Sequence, residues 1–304
     1  MDGEEAGATL AALGMAPPAR AAFIGLGVMG RAMAANLVKA GYRLTVSSRT
    51  RKDVEGAVWA DSAAAAASEA SIIGICVPDT PDVERVLFGA GGVAETVAEG
   101  TVVIDFSTIS AEATRNFALR LKSETGAILL DSPVSGGPQG AIDGTLTCMV
   151  GGEAAAFEAA RPFLTAVGGT ITRLGASGAG QICKSANQMI ISSTMHAVFE
   201  ALVLGRKAGL DPKVMREALL GGSARSFVLE NHALRWLEGR LTPGFRAELM
   251  LKDMKLASAA LAANGVYAPV AASATRTLGV MVETGHGGLD VAALGQEIAE
   301  RSGL

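Results

Sequence analysis

The chain has 304 residues, enough for two domains and for a sizeable core built without disulfides. Hydrophobic residues make up 49% and charged residues 18%, with a net charge of −4 and no basic stripe, which excludes a nucleic-acid footprint. No unbroken apolar run reaches the roughly 18 to 20 residues of a membrane span. The three cysteines and three histidines form neither a disulfide framework nor a metal-ligand spacing, so the expectation is a cytoplasmic protein with no metal site and no membrane partner.

Residues 1–20 read as an appendage. Their early charges are acidic, unlike a secretory leader, and transit-type arginines are lacking, so the expectation is that the segment is disordered or that translation begins at Met15. Ala21–Gly25 predicts a short buried strand and Gly30–Lys39 a helix stopped by Gly41. Arg43–Ser48 predicts a second strand, Ala63–Ala70 a helix, Ile72–Val77 a third strand ended by Pro78, and Asp82–Leu87 another helix. Further strands are expected over 101–105, 127–130, 145–150 and 170–173. This alternation implies a parallel sheet with helices on both faces, over residues 21–177. Beyond Gly180 the texture changes: 181–208, 212–220, 225–238, 247–263 and 268–284 all read as helices between Gly, Pro and Asn signals. The fold class is therefore α/β: a doubly wound sheet, then an all-helical domain over 178–304, with a long helix at the seam.

Gly25-Leu26-Gly27-Val28-Met29-Gly30 is G-x-G-x-x-G between a strand and a helix. The first glycine suits the tight turn, the second lets a pyrophosphate reach the backbone, and the third lets helix and strand pack closely, with the helix N-terminus facing the anion. The end of the second strand selects the dinucleotide. A carboxylate there holds ribose hydroxyls, but Ser47-Ser48-Arg49-Thr50-Arg51-Lys52 offers none before Asp53. Arg49 suits a phosphate fork and Ser48 and Thr50 suit donation to it, so NADP(H) is preferred and NAD(H) is the alternative.

Downstream, Ser135-Gly136-Gly137 is a run of backbone N–H groups suited to a carboxylate, and Ser107-Thr108 follows a strand at the carboxyl edge of the sheet, where open α/β folds bind ligands. In GAGQICKSANQMIISS, Lys184, Asn187 and Gln188 fall at i, i+3 and i+4, on one helical face. A lysine placed there suits the stabilisation and protonation of an alkoxide that develops when a carbonyl accepts a hydride. Burial beside a cofactor would weaken such a lysine's hold on its proton.

FIGLGVMGRAMAANL, DSPVSGGPQGAIDGTLTCMVGG, GQICKSANQ and LMLKDMKLA together resemble the four hallmark blocks of the β-hydroxyacid dehydrogenases, over roughly residues 21–300. The resemblance implies an N-terminal Rossmann domain that binds NAD(P) and a helical C-terminal domain that interlocks in a homodimer or homotetramer. It implies that Lys184 is the catalytic lysine and Asn187 the residue that helps fix the substrate oxygen. Ser135, Gly136 and Gly137 match the loop that holds the substrate carboxylate, and Thr108 a residue between nicotinamide and substrate. Lys252 matches a lysine near the cofactor, and Val77, Pro78 and Asp82 fall where the adenosine half passes. Gly221–His232 and Pro243–Ala257 are similar to the tartronate semialdehyde (2-hydroxy-3-oxopropionate) reductases of the family, which implies reduction of that small carboxylate substrate to D-glycerate. Dehydrogenation of 3-hydroxyisobutyrate and reduction of succinic semialdehyde or glyoxylate are the alternatives. An imine reductase on the same scaffold usually lacks the lysine, and a non-catalytic nucleotide-binding protein has no use for the Lys184–Asn187 pair. Two positions depart from the reductase pattern: Phe106, where a small residue is usual, and Met195-His196, where an acidic residue is common. His196 is expected to serve packing or an interface.

Overall fold

The computed structural model describes residues 15–304, which form two compact units, one ending at Lys184 and one beginning at Ser185. Of the segment expected to be an extension, residues 1–14 lie outside the described residues. Met15 is buried, its carbonyl accepts the Tyr42 hydroxyl at 3.0 Å, and the first strand begins at Arg20. Burial pushes the Tyr42 hydroxyl up to about 12.

The first unit is built on nine strands among the described residues. These are β1 (Arg20–Ile24), β2 (Arg43–Ser47), β3 (Val58–Trp59), β4 (Ile72–Ile75), β5 (Val102–Asp105), β6 (Ile128–Asp131), β7 (Val134–Ser135), β8 (Leu146–Gly151) and β9 (Gly168–Gly175). The order is β3-β2-β1-β4-β5-β6-β8-β7, with β9 also on β8. From β3 to β6 every pairing is parallel; β8 runs antiparallel to β6 and β7. The expected all-parallel pattern thus gives way at one edge. The chain turns back after Asp131, and β7 pairs antiparallel with β8 across a connection that holds the helix Gly137–Asp143.

Side chains alternate between two cores, as the period of a strand requires. Phe23, Ile72, Ile104 and Leu130 join one core; Ile24, Ile73, Val103 and Leu129 join the other. The first is covered by α1 (Val28–Lys39), α5 (Gly137–Asp143) and α6 (Ala154–Val167) through Met33, Leu37, Ala141 and Phe163. The second is covered by α2 (Ala63–Ala67), α3 (Thr80–Phe88) and α4 (Ala111–Thr125) through Ala67, Val83, Leu87 and Leu121. Fully burying each large apolar side chain contributes about 1.5–3 kcal/mol. Both faces are filled, so strands parallel to one another can carry continuous apolar runs. The order reverses at β1, flanked by β2 and β4, and ligands of such sheets bind at the carboxyl ends beside this switch.

The second unit is helical. The 29-residue α7 (Ala179–Lys207) enters it, followed by α8 (Pro212–Leu220), a π-turn at Val228–His232, α9 (Ala233–Leu237), α10 (Ala247–Ala263), α11 (Pro269–Met281) and α12 (Leu294–Arg301). Its core gathers Met195 and Phe199 of α7 with Trp236, Met254, Leu278 and Leu294, and Phe199 meets Trp236 edge-on at 5.6 Å. Among the described residues α7 is long and apolar enough, by length and composition, to cross a membrane, and half of that stretch is buried within the protein. Counting unbroken apolar runs misses a helix whose apolar residues are interrupted by Lys184.

Of the histidines in this unit, His196 is buried and His232 half-buried. His196 donates through Nδ1 to the Ser192 carbonyl at 2.8 Å, while its Nε2 meets no hydrogen-bonding group. Burial first, against the Ser192 bond and Glu200, pushes its pKa down; burial likewise lowers His232. A folded-state pKa below the unfolded value means stability that is present above the unfolded value of about 6.5 and lost as pH falls through the folded one. The thermal midpoint should therefore fall between pH 7.5 and 5, and more shallowly in His196→Gln. Equal slopes for variant and wild type would remove His196 from the account.

Candidate active site

The G-x-G-x-x-G turn divides its labour among three glycines. Gly25 has φ +97°, and a Cβ there would lie 2.2 Å from the Cys76 carbonyl oxygen. A Cβ on Gly30 would lie 2.0 Å from the Gly25 oxygen. At Gly27 a Cβ would meet nothing within 4 Å. The outer glycines are therefore required by the fold, whereas the middle one leaves open space over its backbone. The helix α1 that follows has no side-chain cap and no acidic residue in its first turn. Its leading N–H groups and positive end are those an anion takes. These residues fit the pyrophosphate of a dinucleotide.

The end of β2 is tied to this turn: Gly25 N–H donates to the Ser47 carbonyl at 2.8 Å and Leu26 N–H to Ser48 Oγ at 3.2 Å. Ser48 thus accepts from the glycine loop, while Arg49 and Thr50 are exposed beyond it. Asp53 is engaged locally, its carboxylate 3.6 Å from Arg51 and its carbonyl accepting from Arg31 Nε at 3.1 Å. At the end of β4, Val77 N–H donates to Ser107 Oγ at 2.9 Å, Pro78 is exposed, and Asp82 pairs with Arg85 at 2.9 Å in the first turn of α3.

Lys184 stands near the start of α7, and that start is anchored by residues the sequence reading did not single out. Asp131, wholly buried at the end of β6, accepts from Gly178 N–H at 2.8 Å and Gln181 N–H at 3.0 Å. It caps the helix as an N-cap residue would, but from a distant strand. Burial raises its pKa, and the backbone donors Gly178 and Gln181 oppose that rise. Gln181, 1% exposed, accepts from Ile109 N–H through Oε1 at 3.1 Å and donates from Nε2 to the Ser107 carbonyl at 2.9 Å. It thereby brackets Thr108. One turn on, Lys184 is 8% exposed, and its Nζ donates to the Val134 carbonyl at 2.7 Å. The next residues are Ser135, Gly136 and Gly137, the two glycines at φ +132° and +63° and both exposed. The structure thus brings Lys184 to the edge of the expected carboxylate loop and Gln181 to both sides of Thr108.

In the second unit, Asn187 Nδ2 donates to Gln188 Oε1 at 2.7 Å, and Gln188 Nε2 donates to Asp253 Oδ2 at 2.6 Å. Asp253 Oδ1 lies 3.0 Å from Lys252 Nζ. One polar stripe of α7 is turned from water: Gln181, Lys184, Gln188, Ser192 and His196 are all buried. The glutamine whose purpose was open in the sequence belongs to a buried chain ending on Asp253, another residue missed. Its signal was available, since an acid beside a lysine inside an otherwise apolar helix asks for a partner.

The two departures from the reductase pattern have local explanations. Phe106 is buried in the core between Phe23 and Phe163, with ring centroids 6.1 and 6.4 Å away. Gly74 makes room for that stack, since a Cβ there would come within 2.7 Å of Phe23. His196 is the buried, Ser192-bonded residue of the helical unit described above. Among the described residues no three His, Cys, Asp or Glu side chains converge as a metal set would.

Comparison with known proteins gives two family matches in tandem. Residues 20–175 match the NAD binding domain of 6-phosphogluconate dehydrogenase, and residues 178–298 match the NAD-binding domain of NADP-dependent 3-hydroxyisobutyrate dehydrogenase. The chain is 42% identical over 280 residues to a 2-hydroxy-3-oxopropionate reductase of Escherichia coli, covering 91% of this chain and 96% of that one. It is 38% identical over 288 residues to a 3-hydroxyisobutyrate dehydrogenase of Pseudomonas aeruginosa, covering 90% and 96%. Among solved structures, a Mycobacterium tuberculosis 3-hydroxyisobutyrate dehydrogenase with L-serine superposes with a TM-score of 0.83 at 32% identity, covering 91% of this chain and 98% of that one.

Proposed function

From the premise that this chain belongs to the β-hydroxyacid dehydrogenases of the 3-hydroxyisobutyrate dehydrogenase type, and is an NAD(P)-dependent oxidoreductase acting on CH–OH groups, we propose that it reduces tartronate semialdehyde to D-glycerate with NADPH. The observation that carries the reading is the buried Lys184 amine at the Val134 carbonyl, immediately before Ser135-Gly136-Gly137. The substrate choice is supported by the similarity to the E. coli reductase. Dehydrogenation of 3-hydroxyisobutyrate is the second reading, favoured by the Pseudomonas relative.

When bound, the nicotinamide supplies the hydride. The chain's own residues do the rest. Gly27 and the first turn of α1 take the pyrophosphate, and Arg49 with Thr50 takes the 2′-phosphate, as Val77, Pro78 and Asp82 border the adenosine half. The backbone N–H groups around Ser135, Gly136 and Gly137 hold the substrate carboxylate, which fixes the carbonyl for attack. In this reading Thr108 serves both reactants, Lys252 serves the cofactor, and Asn187 orients the substrate oxygen. Lys184 stabilises the negative oxygen, gives it a proton, and recovers that proton from solvent. The aldehyde gains one hydride and one proton and becomes the alcohol. The same reading makes the protein a cytoplasmic homodimer or homotetramer, supported by its cysteine usage and by exposed apolar residues of the helical unit such as Leu204 and Val214.

A panel of C3–C4 aldehyde acids assayed with both nucleotides tests the substrate. The expected result is the highest kcat/KM for tartronate semialdehyde with NADPH; a higher value for methylmalonate semialdehyde would favour the second reading. Arg49→Ala tests the nucleotide. It should weaken NADPH by roughly 10- to 100-fold, as loss of a charge-assisted phosphate fork would, and leave NADH within about twofold. Equal losses in a fluorescence titration would mean that the phosphate is not read by Arg49.

A further inference from the structure

The start of α7 and the loop after β5 are joined by one side chain. Gln181 uses both ends of its amide within the first unit, accepting from Ile109 N–H and donating to the Ser107 carbonyl. Its own backbone N–H is held by Asp131 at the end of β6. Ser107 in turn accepts from Val77 N–H through Oγ, and its N–H donates to Asp105 Oδ1 at 2.9 Å. The ends of β4, β5 and β6 thus converge on a single buried glutamine three residues before Lys184. An amide bonded at both ends has one orientation and one depth, because a flip would set donor against donor and acceptor against acceptor.

We propose that Gln181 is a positioning residue for catalysis, which fixes the Ser107–Ile109 segment, and with it Thr108, against the helix turn that carries Lys184. The proposal rests on the reading of Lys184 as proton donor and of Thr108 as a residue at the reacting groups. Gln181 touches neither substrate nor nucleotide in this account. Its effect is geometric, and displacements of about 1 Å in such a site cost on the order of 100-fold in rate.

Two variants test it in the full-length enzyme. Gln181→Met keeps the volume and removes both bonds. Gln181→Glu keeps the acceptor for Ile109 N–H but loses the donor to Ser107 while its carboxyl is ionised. Three quantities are read: NADPH affinity by fluorescence, kcat and KM with tartronate semialdehyde, and amide exchange of the peptide containing Ile109. For Gln181→Met the expected results are faster exchange at Ile109, NADPH affinity within about threefold, and kcat lower by roughly 10- to 100-fold with little change in KM. For Gln181→Glu, kcat should recover as pH falls and the introduced carboxyl, protonated, donates to Ser107 again. A residue that merely stabilised the fold would not produce that pH-dependent recovery. Wild-type kcat in Gln181→Met, or unchanged exchange at Ile109, overturns the proposal. A wild-type enzyme that consumes NADPH with no short aldehyde acid would instead overturn the functional reading, while the exchange measurement still decides whether Gln181 holds the segment.

Discussion

Lys184→Ala should lower turnover by about 10²–10⁴-fold and leave NADPH affinity within about threefold. The side chain is buried at the loop that begins with Ser135, not on the glycine turn at Gly25–Gly30 proposed for the nucleotide. Removing it takes away both the positive charge at the developing alkoxide and the proton that neutralises it. Lys184→Arg separates these two contributions. The guanidinium stays charged but does not release its proton in the working range, so an arginine that restores activity would show that charge alone suffices. The account expects Lys184→Arg to remain below about a tenth of wild type, since protonation accompanies hydride transfer. Stopped-flow measurement of nucleotide oxidation in a single turnover checks both variants at the chemical step.

The second large effect separates two glycines two residues apart. Gly25→Ala places a β-carbon 2.2 Å from the Cys76 carbonyl oxygen in a backbone at φ +97°. Neither the strand end at Cys76 nor the turn can yield without disturbing the sheet, so a loss of about 3 kcal/mol or more is expected, together with loss of nucleotide binding. Gly27→Ala meets no protein atom, and its φ of −65° suits alanine. The fold should lose no more than the roughly 1 kcal/mol of a poorer N-cap. Nucleotide affinity, however, should fall at least about tenfold, because the methyl occupies the space over the backbone that a pyrophosphate would approach. Thermal unfolding and NADPH titration on the same two preparations give the contrast. A destabilised Gly27→Ala, or one that binds NADPH normally, would contradict the division of roles.

Much of this was legible because local and tertiary signals agree. The apolar run AAFIG, the glycines after it and the helix GRAMAANLVK each point to the same β–turn–α unit, and the structure places β1 and α1 there. The helices of the second unit fall close to their expected limits because Gly, Pro and Asn punctuate them, with Asp211 capping α8 and Pro269 opening α11. What was not legible depends on contacts distant in sequence. The two-residue strands β3 and β7 exist only through pairing with β2 and β8 and have no periodicity of their own. The last helix, Leu294–Arg301, is polar and short, held through Glu297, which pairs with His286 and Arg301.

The site followed the same rule. Lys184, buried at the Val134 carbonyl, was singled out from its position on a helical face, a local property. Asp131 and Gln181 were not, because their importance lies in bonds to Gly178, Ser107 and Ile109, reached across 47, 74 and 72 residues. A carboxylate that closes a buried strand, and a glutamine one turn before the lysine, were the only hints. Phe106 shows the converse: the sequence marked it only as a departure from the reductase pattern, and the side chain stacks in the core on Phe23 and Phe163.

The most direct test of the central claim follows the hydride itself. Wild-type enzyme is given tartronate semialdehyde and NADPH deuterated at the transferable position of the nicotinamide ring, and the product is examined by mass spectrometry and NMR. The account predicts one deuterium on C3 of glycerate for each nucleotide oxidised, and a strong loss of this transfer in Lys184→Ala. Nucleotide that binds without being oxidised, or is oxidised without deuterium reaching glycerate, would contradict it.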